Sequence, residues 1–511
     1  MADEVIKLSY KKNVAILIIT ATIIRCIIGS GIEFGNDEVY YWTYAQHLQL
    51  CYFDHPPLVA FFIRFFTFNL HFNNEIFVRF TAIAGAAINT WLIYKILSRI
   101  KNEKAGFYAA LLYTACVYTT IISGLFIIPD SPQVVFWLFS VYLLIKIFIL
   151  KEDQNKNLLL FGLFTGIATL CKIHGVYLWF AGGLFILFFD RAQLKNKYLY
   201  ISGIITAILI SPIFIWNFQN AFITYQYQGG RVVINNGIQL SSFFREIFGE
   251  ILYCNPVIFV LIVITIFRTI RNRFYTDNKQ LFWLLIFLSL PLISVCWSVS
   301  LFRDTLPHWP GPAYISLLIF CAYYGGQCFK TTVFFKWIKI SNYVVLSIVV
   351  LAFLAINYLP LSLGKQNAEN LGSGDFTVDL FGWNSFENAF AKLKNNDTAT
   401  HTMRADAIII SNKWFPAAHL DYYVAHPLNM QLYAFGPLFD IHNFAWLNKQ
   451  NGAIKKGADA YYISPSNYSS TPDSIYKKVF SVIEPPFIFH QYRNKVAIRN
   501  FYVYRMKNYK Y

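Results

Sequence analysis

For its first 360 residues the chain alternates long apolar runs with short polar breaks. Runs near the length of a bilayer crossing, about 20 residues, occupy 13–32, 78–98, 105–127, 132–150, 158–189, 198–216, 246–267, 280–299, 311–328 and 341–359. The run 158–189 is too long for one crossing and Lys172 interrupts it, so it reads as a hairpin. The pattern predicts about eleven to thirteen transmembrane helices. From about Gly364 the pattern changes. Short strand-like stretches such as 407–410 and 460–463 alternate with helix-like pieces such as 385–394 and 415–424, the signature of an α/β domain of about 140 residues. The expected fold is an α-helical polytopic membrane body, 1–360, followed by a C-terminal extracytoplasmic α/β domain, 361–511. Within the body, the first long loop, 33–77, is too aromatic to be a plain linker; Tyr40, Tyr41, Trp42, Tyr44, Tyr52, Phe53 and the run 58–63 predict short helices lying in the membrane interface.

Composition reinforces the pattern. Of 511 residues, 56% are hydrophobic and only 14% charged, against about 45–50% apolar and 25% charged in soluble domains. The formal net charge of +16 raises the question of nucleic acid. Its distribution answers otherwise: Lys7/Lys11/Lys12, Arg99/Lys101/Lys104, Arg191/Lys195/Lys197, Arg268/Arg271/Arg273 and Lys330/Lys336/Lys339 fall in loops on alternate sides of the runs, the positive-inside pattern. No nucleic-acid partner is expected. The N-terminus is assigned to the cytoplasm, and 33–77, 217–245, 300–310 and the tail to the opposite face. Residues 13–32 are long for a signal h-region and lack a small-x-small cleavage site, so an uncleaved first span is expected. Seven of eight cysteines fall in or beside spans, and only Cys51 lies clearly in an outer loop, so no disulfide framework is available.

Ionisable groups in or near a bilayer are costly unless paired or wetted, which makes them functional candidates. Here Asp37, Glu38, Asp54, His55, Arg79, Asp130, Lys172, His174, Arg231, Arg303, Asp304 and His308 all map to the outer face, and Arg25 is the main residue deeper in a span. Asp37 and Glu38 fit either an acidic helix cap or a general base drawing a proton from an acceptor hydroxyl, worth about 10²–10⁴ in rate. Asp54-His55-Pro56-Pro57 is a rigid corner, since each residue before a proline is held out of the helical region. Asp130, in Ile128-Pro129-Asp130-Ser131-Pro132, opens a span as a cap or faces the same outer cavity. Lys172 snorkels or meets a phosphate, and the Arg231 fork suits a pair of phosphate oxygens. Arg303 and His308, beside Trp309, add further cations.

Taken in order, Asn36-Asp37-Glu38, Tyr52-Phe53-Asp54-His55-Pro56-Pro57-Leu58, Phe77-Val78-Arg79-Phe80, Pro129-Asp130-Ser131 and Lys172 resemble the bacterial branch of the dolichyl-phosphate-mannose protein mannosyltransferase-like family. These are GT-C integral membrane glycosyltransferases, and lipid A aminoarabinose transferase is a relative. The resemblance covers about residues 10–330; the tail is only generically similar. It implies an inverting transfer of a sugar from a polyprenyl phosphate at the outer face of the cytoplasmic membrane. It further implies that Asp37 is the catalytic aspartate of the first loop, Asp130 the second acidic residue and Lys172 the lysine near the lipid phosphate. Asp54-His55 stands where the aminoarabinose transferase carries a Glu-Lys pair, which argues against aminoarabinose and lipid A as substrates.

The leading expectation is therefore a glycosyltransferase acting on a lipid, glycan or protein acceptor. Asp37 would activate the acceptor, and Asp130, Glu38 or Asp54 would orient it. His55, Lys172, Arg231, Arg303, His308 and Arg79 are the candidates for binding the lipid phosphate and sugar. A divalent ion among Asp37, Asp54 and Asp130 suits hard-cation chemistry, yet nothing in the spacing demands one, and no metal or other cofactor is expected. The competing expectation is a transporter or lipid flippase, which tends to show internal repeats and midplane polar sites; none is evident. Tail aromatics such as Trp414, Tyr422, Tyr423 and Trp446 fit core packing or sugar stacking.

Overall fold

The computed structural model describes residues 2–233, 237–472 and 474–511; the side chains of 2–9 and 474–475, Lys7 among them, and residues 234–236 of the expected loop 217–245 lie outside the description. The molecule is mostly helical, with one small sheet near its C-terminus, and its residues form two compact units. The first contains 1–27, 50–69 and 76–349. The second contains 28–49, 70–75 and 350–511. The long first loop is thus shared. Its opening stretch folds with the tail, and its middle stretch folds with the helical body.

Among the described residues, six segments in the first unit and the helices leading out of it are long and apolar enough to cross a membrane, fewer than the eleven to thirteen expected: Tyr10–Ser30, Glu75–Ile100, Asp130–Phe148, Lys197–Gln219, Phe274–Ser300 and Thr331–Tyr358. Leu240–Cys254 and Pro256–Arg271, bent by 98° about Asn255, make a seventh if counted as one span. The other apolar runs are helical but shorter or interrupted. Glu103–Ala115 gives way to a wide π turn at Tyr118–Ile122. Gln154–Cys171 and Tyr177–Phe189 flank a break where Lys172 is extended, with φ −153° and ψ 134°. Gly311–Cys328 is enclosed by protein along nearly its whole length; a helix surrounded by other helices is free to carry the Ser316, Tyr323 and Tyr324 hydroxyls that lipid contact would penalise. The core joins these helices through residues such as Trp137, Leu144, Phe185, Leu285 and Phe320.

The second unit is α/β. Six strands, β1 (Ile408–Ser411), β2 (Leu432–Ala434), β3 (Ala460–Pro465), β4 (Phe480–Ile483), β5 (Phe487–Arg493) and β6 (Val496–Tyr509), form one mixed sheet. The order is β2-β1-β3-β6-β4, with β5 also on β6. β1 pairs in parallel with β2 and β3, while β6 is antiparallel to β3, β4 and β5. The parallel strand β1, Ile-Ile-Ile-Ser, is buried along its whole length, as a strand covered on both faces requires. The strands expected at 407–410 and 460–463 and the helices expected at 385–394 and 415–424 are present, the last as Trp414–Leu420 continued by a π turn. The long β5–β6 pairing was not foreseen.

The helix Asn36–Gln46 is built into this second unit. The Asn36 amide donates to Asp379 Oδ2 and the Tyr468 hydroxyl, both at 3.2 Å, and its Oδ1 lies 2.9 Å from His419 Nε2. The His419 ring is stacked on Trp383 with centroids 4.2 Å apart and planes within 3°. Glu33 returns the connection: its two oxygens accept the backbone N–H groups of Trp383 (2.6 Å) and Asn384 (3.1 Å) at the start of the helix Trp383–Ala399, where orphan donors and the helix dipole favour a carboxylate. Tyr40 OH accepts the Asn443 N–H, and Gln46 Nε2 donates to Asp421 Oδ2 at 2.7 Å.

Candidate active site

The helical body holds a buried ion pair. Asp130 stands in the first turn of Asp130–Phe148, but its carboxylate does not cap that turn; Ser131 Oγ accepts the Ile128 N–H instead. Asp130 Oδ2 accepts from Lys172 Nζ at 2.8 Å, and Oδ1 accepts from the Tyr118 hydroxyl at 2.8 Å. Both charged side chains are almost inaccessible, 5% exposed for Lys172 and 2% for Asp130. Lys172 therefore does not snorkel. The break in the chain at this residue turns it inward, and Gln133, one turn after Asp130, donates its amide to the Lys172 carbonyl at 2.9 Å. Tyr118 comes from the π turn. It packs against the backbone at residue 311 so closely that a side chain on Gly311 would collide with its ring.

Around this pair gather groups from distant segments. The ring of His55 feels the charges of Lys172, Arg231 and Asp130 and has His174 as a neighbour; His308 likewise feels Lys172, Asp130 and Arg231. The Arg231 guanidinium lies over Trp309 (4.8 Å to the centroid) and Tyr227 (5.6 Å), which aims a planar cation with little rotamer freedom. Burial, then the charges of Lys172 and Arg231, hold His308 down at about 4 and His55 well below the usual histidine range. Both imidazoles are neutral at pH 7. They are therefore not the additional cations expected from the sequence, and a bound dianion would reverse part of that shift.

The corner bearing His55 is anchored through its backbone. Tyr52 N–H donates to His55 O at 3.0 Å, Thr224 Oγ1 to Tyr52 O at 2.9 Å and Gln228 Nε2 to Asp54 O at 2.6 Å. Asp54 is buried. Thus Asp54, His55, Asp130, Lys172, His174, Arg231 and His308 all belong to the first unit, and the last six form the charged cluster. Arg303 is not aimed there; it donates to the carbonyls of Gly230 and Val233. Asp304 meets Ser242 and Arg245. Arg79 is fully buried with its guanidinium 5.9 Å from the Phe126 ring centre. Asp37 and Glu38 belong to the second unit, in the first turn of Asn36–Gln46. Asp37 is exposed. Glu38 is buried and accepts the Gly35 N–H at 3.0 Å, half of a capping box.

The sequence reading missed Tyr118, Gln133 and Tyr227. It also missed two buried carboxylates, Glu246 and Glu250, that stand inside what was taken as an apolar run. An ionisable pair one turn apart in such a run was the available signal. Among the described residues, no group of three or more His, Cys, Asp or Glu side chains is arranged to hold a metal ion.

Residues 54–216 match the dolichyl-phosphate-mannose-protein mannosyltransferase family. Over 96% of this chain and 98% of the other, the structure superposes on ArnT from Cupriavidus metallidurans in the apo state with a TM-score of 0.61 at 11% identity. The fold is that of the GT-C membrane glycosyltransferases. The GT-C match extends to ArnT bound to undecaprenyl phosphate, with a TM-score of 0.59, 12% identity and coverage of 96% and 97%. In sequence, the lipid A galacturonosyltransferase RgtD of Rhizobium johnstonii is 25% identical over 297 residues, 56% of this chain and 59% of that protein. The match thus spans less than two thirds of that relative's length. The resemblance to this family and the expected fold are borne out, and the matched stretch takes in the Asp54-His55-Pro56-Pro57 corner, Asp130 and Lys172.

Proposed function

We propose that this protein transfers a sugar, with inversion, from a polyprenyl-phosphate donor to a lipid, glycan or protein acceptor at the outer face of the cytoplasmic membrane. The observation that carries the reading is the convergence of Lys172, Arg231, His55, His174 and His308 on Asp130 from separate parts of the body. Two fixed cations and a set of neutral imidazole donors in a sparsely hydrated cluster suit a leaving phosphate, whose charge grows as the glycosidic bond breaks. Asp130 does not serve as a base in this reading. It holds the Lys172 ammonium in place and offsets part of its charge.

Asp37 takes the proton of the acceptor hydroxyl, the role the family resemblance implies. The hydroxyl oxygen attacks the anomeric carbon, the bond to the phosphate oxygen breaks, and polyprenyl phosphate departs carrying the electron pair. Glu38 caps the Asp37 helix, and Asp54 supports the corner that presents His55. Charge neutralisation comes from Lys172 and Arg231, so the reaction runs without a metal ion. The ArnT structure with undecaprenyl phosphate and the naming of RgtD as a lipid A galacturonosyltransferase support the donor class and an envelope acceptor.

The test is mass spectrometry of surface glycolipids and glycoproteins from cells with and without the protein, followed by Asp37→Asn. The expected outcome is loss of one sugar mass in the deletion, no restoration by D37N, about 10²–10⁴-fold slower transfer in membranes, and unchanged transfer by the wild type in chelator. Near-normal transfer by D37N removes the base assignment, and chelator-sensitive transfer removes the metal-free step.

A further inference from the structure

The helix Leu240–Cys254 carries Ser242, Glu246, Glu250 and Cys254 on one buried face. This face meets the segment 297–314 at several points. Gln239 N–H donates to Leu301 O at 2.6 Å, and Ser242 Oγ donates to Asp304. Thr305 Oγ1 donates to Glu246 Oε2 at 2.7 Å. Trp297 Nε1 and the Tyr314 hydroxyl both donate to Glu250 Oε2, at 2.9 and 2.6 Å. The two glutamates therefore grip the segment before, within and after the loop 301–310, which carries His308 and the Trp309 ring beneath Arg231. Between them stands Gly249, where any Cβ would collide with the Pro307 ring; the loop lies directly on the helix backbone.

Each carboxylate has its other oxygen, Oε1, buried with no hydrogen-bond partner. Among the described residues neither forms an ion pair. The ionisable groups that face them are the Tyr314 hydroxyl, the Cys254 and Cys296 thiols, and Arg245, whose guanidinium is paired with Asp304. Two adjacent buried carboxylates without a cation cannot both keep a full charge. One proton between the bare oxygens satisfies both at once.

We propose that Glu246 and Glu250 share one proton and together act as positioning residues that clamp the loop 301–310, and through it His308 and Trp309, against the phosphate-binding cluster. The effect on transfer rests on the function proposed above; the clamp itself does not. A glutamine at either position keeps an acceptor for Thr305 or for Trp297 and Tyr314, and supplies an N–H in place of the shared proton. An alanine supplies neither.

The experiment uses the full-length protein in lipid nanodiscs. Hydrogen exchange of the amides of 301–310 is compared in the wild type, Glu246→Gln, Glu250→Gln, Glu246→Ala and Glu250→Ala. The clamp requires faster exchange confined to this loop in the alanine variants and near-wild-type protection in the glutamine variants. Uniform loss of protection across the body, no change in the alanine variants, or glutamine variants as exposed as alanine overturns it. Transfer is then measured for Glu250→Ala, His308→Ala and the double variant. Action through the loop predicts that E250A lowers kcat by about tenfold, that E250Q restores it, and that the double variant loses little more than H308A alone. Additive losses make Glu250 a purely structural residue and overturn the positioning role. A wild type that transfers nothing from polyprenyl-phosphate donors removes the proposed function, while the exchange data still decide the clamp.

Discussion

The two halves of the segment 33–58 have opposite dependence. The first, with Asp37, is held by groups that arrive from the end of the chain: the side chains of Asp379, His419 and Tyr468 on Asn36, and the backbone N–H of Asn443 on Tyr40. The second, with Asp54-His55, is held by Thr224 and Gln228 of the helical body and stands beside Lys172 and Arg231. One loop therefore belongs to two folding units. The tail is consequently no appended module. It completes the helix on which the proposed base stands, while the body builds the phosphate side by itself.

The largest effect expected from this division falls on the body. Lys172→Met leaves buried Asp130 with the Tyr118 hydroxyl as its hydrogen-bond donor among the described residues, and removing one member of a buried pair costs about 3–5 kcal/mol. Thermal unfolding in detergent should show that loss, and Lys172→Met with Asp130→Asn should recover most of it without recovering transfer. A change below about 1 kcal/mol, typical of a solvated surface pair, would break the picture of a dry cluster on the body's side of the loop.

A smaller effect is expected on the side held by the tail. Asn36→Ala removes the shared partner of His419, Asp379 and Tyr468, and stranding buried polar groups costs about 1–3 kcal/mol. Exchange of the amides in 36–46 should rise, and transfer should fall without change in the binding of the polyprenyl-phosphate donor proposed above, because the cluster proposed to bind its phosphate lies wholly in the other unit. Weakened phosphate binding by N36A would erase the distinction between the halves.

How much of this was legible depended on the range of the interactions. Apolar run length located the helices but overstated the crossings, eleven to thirteen expected against six long enough among the described residues, or seven with the bent pair; the interruption at Lys172 located the turn in 158–189, because both are local properties. The candidates Asp130 and Lys172 were visible as charges near span ends, but their pairing across 42 positions was not. The membership of Asn36–Gln46 in the tail unit was invisible for the same reason: its partners lie some 340 to 430 residues away. Glu246 and Glu250 were lost differently, to averaging, since a hydropathy window around 246–267 hides two carboxylates that share a face. Arg303 was overvalued because residue type alone does not tell a guanidinium open to a ligand from one spent on the carbonyls of Gly230 and Val233.

The finest separation of the two units is their response to acid. His308, held at about 4 by burial and by Lys172, is uncharged in the folded body but takes a proton in the unfolded chain below its ordinary 6.5. The unfolded state then binds more protons, so the body loses stability as pH falls from 6.5 toward 4, by about 2 kcal/mol at pH 5 for this residue alone. His55 acts in the same direction. In the second unit His419, lowered by burial, acts in the same direction, but a carboxyl opposes it. Burial raises the Asp421 carboxyl to about 6, against an ordinary 3.8, so the folded form binds the proton more tightly and this group favours folding increasingly as pH drops from 6 to 3.8. Unfolding followed separately in the two units, by exchange of body and tail amides between pH 8 and pH 5, should show the body weakening more than the tail. His308→Gln should flatten the body's slope, and Asp421→Asn should stabilise the tail most at neutral pH, where the wild-type carboxyl must be buried with its charge. Parallel slopes in the two units would mean that these groups do not set their acid responses.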